Sequence, residues 1–194
     1  MLRRVVLVFV SLAASLLLSA CAEPPTTEMD RAQGAIDAAR AAGAEQYATG
    51  EYSAATAALT SSHDAVAAGD YRLALNYALE SHEHAQNAAR ETADTKARMR
   101  AEVERAVTEI TALVTAGRTR IAAAERAGVP GRLLTPAADA LAAASASLQK
   151  AGEAVAADNY VAASAALKGV KQGAEEALAA LDAASRSQSV RRRR

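Results

Sequence analysis

The 194-residue sequence contains no tryptophan, one phenylalanine (Phe9) and one cysteine (Cys21). Ligand pockets are walled mostly by large apolar and aromatic side chains, and this chain has little with which to build deep walls. A lone cysteine cannot close an internal disulfide. Prolines number four, and none falls between Pro25 and Pro130, so nothing of that kind interrupts a helix there. An excess of one charge is missing too, with 22 basic and 22 acidic residues. Bulky aliphatics are few. From Cys21 onward Leu, Ile and Val together make up 24 of 174 residues. That share would suggest disorder if net charge were high, but 20 basic residues stand against 22 acidic ones. What the chain has in abundance is alanine, 52 residues over the same span. Alanine has the best intrinsic helix propensity, which predicts an all-α protein of closely packed helices over a thin core.

The N-terminus reads MLRRVVLVFVSLAASLLLSAC, with Arg3 and Arg4 before an uncharged, mostly apolar run from Val5 to Ala20. Those 16 residues fall short of the roughly 20 that a bilayer-spanning helix needs, so an export signal over 1–20 fits better than a permanent span. Leu18, Ser19, Ala20 and Cys21 resemble a bacterial lipobox. The resemblance implies cleavage before Cys21 and a covalent lipid on it, which would account for the cysteine's number and position; an uncleaved anchor is the alternative. Either way the chain is tethered. Two or more acyl chains hold firmly where one holds only marginally. Ala22 stands where an aspartate would, by the same resemblance, retain the protein at the inner membrane, so the expected place is the outer membrane, facing the periplasm. Residues 21–28, proline-rich and without apolar periodicity, are expected to form the lipidated tether.

Helix boundaries follow from punctuation. Thr26 or Thr27 can cap a first helix from about Glu28 to Ala42, with Gly43 ending it. A second is expected from about Glu51 to Ala68, closed by Gly69, and a third from Tyr71 to Ala127, roughly 85 Å at 1.5 Å per residue. Its distal half carries an apolar stripe at steps of three and four, Met99, Val103, Ala106, Ile110, Leu113, Gly117, Ile121 and Ala124. Something must pack on it: the C-terminal part of the chain first, a second copy or partner otherwise. Thr135 as N-cap and Pro136 at the first helical position predict a fourth helix to about Ala157, and a fifth runs from about Tyr160 to Ala184. The expected architecture is therefore elongated helical hairpins, TPR-like or bundle-like, with one very long central helix. It divides into 29–127, a hairpin plus the long helix, 128–187, a second hairpin, and 188–194, a basic disordered tail.

The two hairpins align at an offset of 89, Ala54–Ala89 on Ala143–Leu178, with 12 identities in 36 positions, nine of them alanine. The informative ones are Leu59 with Leu148, Val66 with Val155, and Tyr71 with Tyr160. They bracket the turn, where Gly69-Asp70 is replaced by Asp158-Asn159, residues equally suited to a turn and a cap. Internal duplication is one reading of this echo. GDYRLALNYA resembles the turn and second helix of a tetratricopeptide repeat at Gly69, Asp70, Tyr71, Ala74, Tyr77 and Ala78, although the preceding helix lacks that repeat's aromatic and Leu-Gly pair. With the lipobox and AARAAGAEQYA from Ala38 to Ala48, the region from Thr27 to about Ala89 is similar to an uncharacterised family of alanine-rich bacterial envelope lipoproteins. Some of those relatives are fused to an OmpA-like peptidoglycan-binding domain. The resemblance implies an envelope role, not an activity.

Chemistry is sparse. His82 and His84 lie two apart, about 200° around a helix, so they cannot share a metal as an i, i+4 pair could; His63 with Glu80 or Glu83 would have to complete a set. No metal site is expected, and no cofactor beyond the covalent lipid. Carboxylates are spread over solvated faces, Ser61 and Ser62 lack a glycine-flanked elbow, and glycine-rich phosphate loops are absent. No catalytic residue is assigned and no enzyme activity expected. Arg191, Arg192, Arg193 and Arg194 read as a solvated tail or as an electrostatic contact for anionic envelope material. Nucleic acid is not expected as a partner, because export removes the chain from it and no aromatic platform accompanies the charge. Two functions remain. One is a tethered scaffold or adaptor that uses the stripe (Met99, Val103, Ile110, Leu113, Ile121) for an envelope protein or a second copy. The other is a module binding peptidoglycan or a small envelope ligand through Tyr71, Tyr77 or Tyr160, with Tyr47 and Tyr52 as further contacts.

Overall fold

A computed structural model describes residues 23–192. Among them the fold is all-α, without strands. The helices are α1 (Thr26–Ala42), α2 (Ala44–Tyr47), α3 (Thr49–Ala67), α4 (Tyr71–Arg126), α5 (Gly131–Ala156), α6 (Tyr160–Leu167) and α7 (Val170–Arg192). The expected long helix is present: α4 runs 56 residues without a break.

Two cores form, and the chain divides between Ala93 and Asp94, inside α4. The first unit packs α1, α2 and α3 with the leading part of α4. Met29, Ile36, Tyr52 and Leu59 are its large members, and alanines supply most of the rest. On α4 the buried face is a run of small residues at steps of three and four, Ala74, Ala78, Ser81, Ala85, Ala88 and Thr92. Side chains that small let two backbones approach. The consequence is visible in a reciprocal pair of bonds: the Ser62 hydroxyl on α3 donates to the Ala74 carbonyl at 2.7 Å, and the Ser81 hydroxyl on α4 donates to the Ala55 carbonyl at 2.8 Å.

The second unit packs the trailing part of α4 with α5, α6 and α7 around aliphatics, with Val103, Ile110, Val114, Leu134, Leu141, Leu167, Leu178 and Leu181 buried. Between Thr92 and Val103 the buried face of α4 lapses, with Ala93 and Asp94 exposed and Thr95, Lys96 and Met99 half-buried. That lapse, and not the turn at Gly128, separates the cores. The expected boundary between 127 and 128 is corrected accordingly.

The turns between paired helices obey the echo at offset 89. Gly69 and Asp158 both take positive φ, 76° and 55°. Behind them the Asp70 N–H donates to the Ala65 carbonyl and the Asn159 N–H to the Ala154 carbonyl, each at 2.9 Å. The Asp70 side chain then accepts from the Leu73 N–H at 2.9 Å, and the Asn159 side chain from the Ala162 N–H at 3.0 Å. Each turn is a left-handed stop followed by an N-cap.

Several boundaries differ from those expected. α1 begins at Thr26 because the Pro25 carbonyl accepts the Met29 N–H at 3.0 Å, so no threonine cap is needed and the tether toward Glu28 is shorter. The second helix begins early and bends at Ala48 (φ −143°). α5 starts at Gly131, since the Pro130 carbonyl accepts the Leu133 N–H at 2.9 Å and Val129 and Leu134 are buried on either side. Thr135 is thus not an N-cap: its hydroxyl donates back to the Gly131 carbonyl at 3.1 Å, and Pro136 lies inside the helix. The fifth predicted helix is two, α6 and α7, parted where Lys168 is extended (ψ 124°) and Gly169 takes φ 75°. Finally, α7 continues to Arg192, so positions 188–192 are helical where a disordered tail was expected; Arg193 and Arg194 lie outside the described residues.

Candidate functional site

The proposed lipidation site, Cys21 with Leu18, Ser19 and Ala20, lies outside the described residues. Glu23 is exposed and Pro25 buried, so the chain meets the first unit only a few residues after Cys21.

The apolar stripe of α4 is already covered. Val103 and Ile110 are 3% and 1% exposed within the second unit. A Cβ on Gly117 would come within 2.6 Å of Leu141 Cδ1 on α5 and 3.0 Å of Leu178 Cδ2 on α7. Of the two coverings expected for the stripe, the chain's own C-terminal helices supply it, and its role as an interaction surface is corrected. Met99, Leu113 and Ile121 remain half-buried at its edges. Beside Met99 an open groove of about 410 Å³ is lined by Val103, Ala106, Val161 and Leu167, with Glu102 and Lys168 among its polar residues.

The tyrosines are mostly structural. Tyr47 and Tyr52 belong to the buried residues of the first unit, and Tyr160, 8% exposed, to those of the second. Tyr160 is therefore corrected as an exposed contact; Tyr71 and Tyr77 stay half-buried. The Tyr52 hydroxyl accepts from Arg40 Nε at 2.7 Å.

His84 joins α4 to α3. Its Nδ1 meets Glu51 Oε2 at 2.8 Å and its Nε2 lies 3.8 Å from Glu80. The hydrogen bond to Glu51 raises the His84 pKa against partial desolvation, aided by the charges of Glu51, Glu80 and Glu83. Glu51 is lowered in turn, chiefly by the same bond. His82 is elsewhere, 3.4 Å from Gln86, and His63 is exposed. Among the described residues no three His, Cys, Asp or Glu side chains gather as a metal site. The buried polar side chains Ser62, Ser81 and Thr92 all donate to backbone carbonyls. No described helix is long and apolar enough to cross a membrane.

Charge, balanced overall, is not balanced along the chain. Residues 23–93 carry eleven acidic and four basic side chains, whereas residues 94–194 carry eleven acidic and sixteen basic. Within the second unit, cross-helix ion pairs recur at a separation of 62 positions: Lys96–Asp158 at 2.6 Å, Glu109–Lys171 at 2.8 Å and Arg120–Asp182 at 3.2 Å. α6 and α7 therefore run parallel to α4 in constant register. Beyond Asp182 α7 continues in the direction of the turn at 126–130. α5 departs from the same turn, running antiparallel to α4, as the bond from Arg118 to the Ser145 hydroxyl at 3.0 Å requires. The end of α4 and the start of α5 thus lie at the pole of this unit toward which α7 runs, and Arg126, Arg132 and Arg186 stand on the helix segments of that end. Sequence reasoning had singled out only the arginine run; the spacing of opposite charges at 62 was the signal for the rest.

No protein family, curated protein or solved structure matches this chain.

Proposed function

We propose that this is a non-catalytic protein of the bacterial cell envelope, anchored by fatty acyl groups on Cys21 and facing the periplasm from the outer membrane. There it would serve as a helical scaffold or adaptor for an envelope protein. The observation that carries the reading is the sequence Leu18-Ser19-Ala20-Cys21, which closes an apolar run and contains the chain's one cysteine. The start of α1 at Thr26 supports it, because a folded unit then begins within a few residues of the anchor. The similarity to alanine-rich envelope lipoproteins adds to the same reading. Its two cores are filled by their own side chains, so a partner would be met by outer helix faces. Leu73 and Leu79 on α4 and Val161 on α6 are the exposed large apolar side chains among the described residues.

Mass spectrometry of native material tests the anchor. The expected species begins at Cys21 and carries diacylglyceryl and amide-linked acyl mass, and Cys21→Ser leaves the membrane fraction or retains its leader. An unmodified thiol on a chain that still carries residues 1–20 would refute the proposal. Crosslinking in intact cells tests the scaffold: one defined envelope protein captured by positions on α4 or α6 supports it, and none from any outer face counts against it.

A further inference from the structure

The geometry points to the arginine pole of the second unit as a docking surface for an anionic phospholipid bilayer. This contact is separate from the acyl anchor and does not depend on it. Three helix ends build the pole. Arg126 closes α4, Arg132 opens α5, and Arg186 lies near the end of α7; all three are exposed. Arg191 and Arg192 occupy the last helical positions of α7, and two more arginines follow in the sequence. The acids of this region are few. Asp182 is engaged by Arg120 at 3.2 Å and Arg186 has an interaction of its own; Glu125 is the acidic neighbour of Arg126 in sequence.

Three features define the ligand. First, the cations are exposed at helix ends of one unit, on three separate helices. Such a surface suits an extended array of charge, whereas one small anion needs donors converging on a point. Second, the pole is made of arginine alone. The lysines of this unit, Lys96, Lys150, Lys168 and Lys171, lie on the remoter parts of the same helices. The planar guanidinium fork matches phosphate oxygens two at a time. Third, Arg126 closes α4 and the last arginines of α7 stand at its carboxyl end, where the helix dipole favours positive charge; Arg132, at the amino end of α5, is held there against that dipole. Several cations within about one Debye length, ~8 Å at physiological salt, act together on a charged surface.

The test is flotation of the full chain with vesicles of phosphatidylcholine alone and with vesicles one-third phosphatidylglycerol. The apolar run from Val5 to Ala20 contributes to both, so the readout is the ratio of the two partition coefficients. The wild type is expected to favour the anionic vesicles, with the preference falling as salt rises. Arg126→Gln/Arg132→Gln/Arg186→Gln should cut the ratio by about two orders of magnitude, roughly fivefold per arginine near such a surface. The matched triple Arg98→Gln/Arg100→Gln/Arg105→Gln removes the same charge from the other end of the helix bundle and should change it by no more than about twofold. Arg126→Lys/Arg132→Lys/Arg186→Lys should restore most of the preference and, with circular dichroism, guards against a folding defect. Equal losses from both glutamine triples would reduce the effect to net charge and overturn the proposal. So would displacement by inorganic phosphate at fixed ionic strength, which would mark a site for a free anion. Absence of lipid preference with retention on peptidoglycan sacculi through the same arginines would assign the pole to the cell wall instead.

Discussion

Gly117 shows how little slack the second unit has. Both leucines that a new methyl would strike are buried, Leu141 at 2% and Leu178 at 3% exposure. Gly117→Ala gains about 1 kcal/mol of helix propensity but overpacks a closed contact, at about 1–3 kcal/mol. The expected net is a loss of about 1 kcal/mol in urea unfolding, larger for Gly117→Val. Adding Leu141→Ala to Gly117→Ala should cost less than the two single losses combined, because the methyl fills part of the space the leucine vacates. Position 117 was legible in the sequence as a member of the stripe, but not as the point of closest approach: that depends on which residues of α5 and α7 stand opposite, and no single-helix pattern carries that information.

His84 supports a prediction of pH dependence. Its folded pKa is raised by Glu51, so it stabilises the α3–α4 contact fully below its unfolded value of about 6.5, and the contribution is lost as pH rises through the raised folded value. Glu51 is lowered, so its contribution is present above the ordinary glutamate range and is lost as pH falls through its folded value. The contact is therefore strongest in mildly acid solution. His84→Gln should flatten the fall in stability between neutral and mildly alkaline pH that thermal unfolding of the wild type would show, and the second unit should be insensitive to the change. About a third of each side chain remains exposed, so solvent screening keeps the effect small.

At the scale of elements, punctuation and propensity located the helices but misplaced their ends. The long helix α4 was readable because nothing breaks it for 56 residues. Pro136 was misleading: a proline after threonine is a common first helical position, yet here burial of Val129 and Leu134 pulls the start of α5 back to Gly131. That leaves a proline in the sixth position, where its ring opposes the Arg132 carbonyl and its missing N–H forfeits a bond. Pro136→Ala should therefore stabilise the chain, by about 1 kcal/mol and at most ~3, as measured by denaturant midpoint. The break at Gly169 was hidden for a related reason. Its counterpart at the 89-residue offset is Glu80, in the middle of unbroken α4, so the echo between the hairpins carries no sign of a break there.

At the scale of the whole molecule, two separate cores share one helix. Ile36 is 1% exposed in the first and Ile110 1% exposed in the second. Either residue cut to alanine should cost about 2–5 kcal/mol. Hydrogen exchange should localise the loss, with Ile36→Ala exposing amides between 26 and 93 and Ile110→Ala those between 94 and 192. Uniform loss of protection would mean that the cores unfold as one. The all-α class was readable from alanine content alone, whereas the division inside α4 was not, because a helix continuous in sequence gives no sign of where its neighbours change.

The uneven distribution of charge has a consequence for handling the protein. With a sequence pI near 6.8, the chain looks close to neutral, yet an excess of five carboxylates precedes Asp94 and an equal excess of five cations follows Ala93. At pH 7 and low salt it should be retained on resins of either sign. A single proteolytic cut near that junction should yield two fragments that focus far apart.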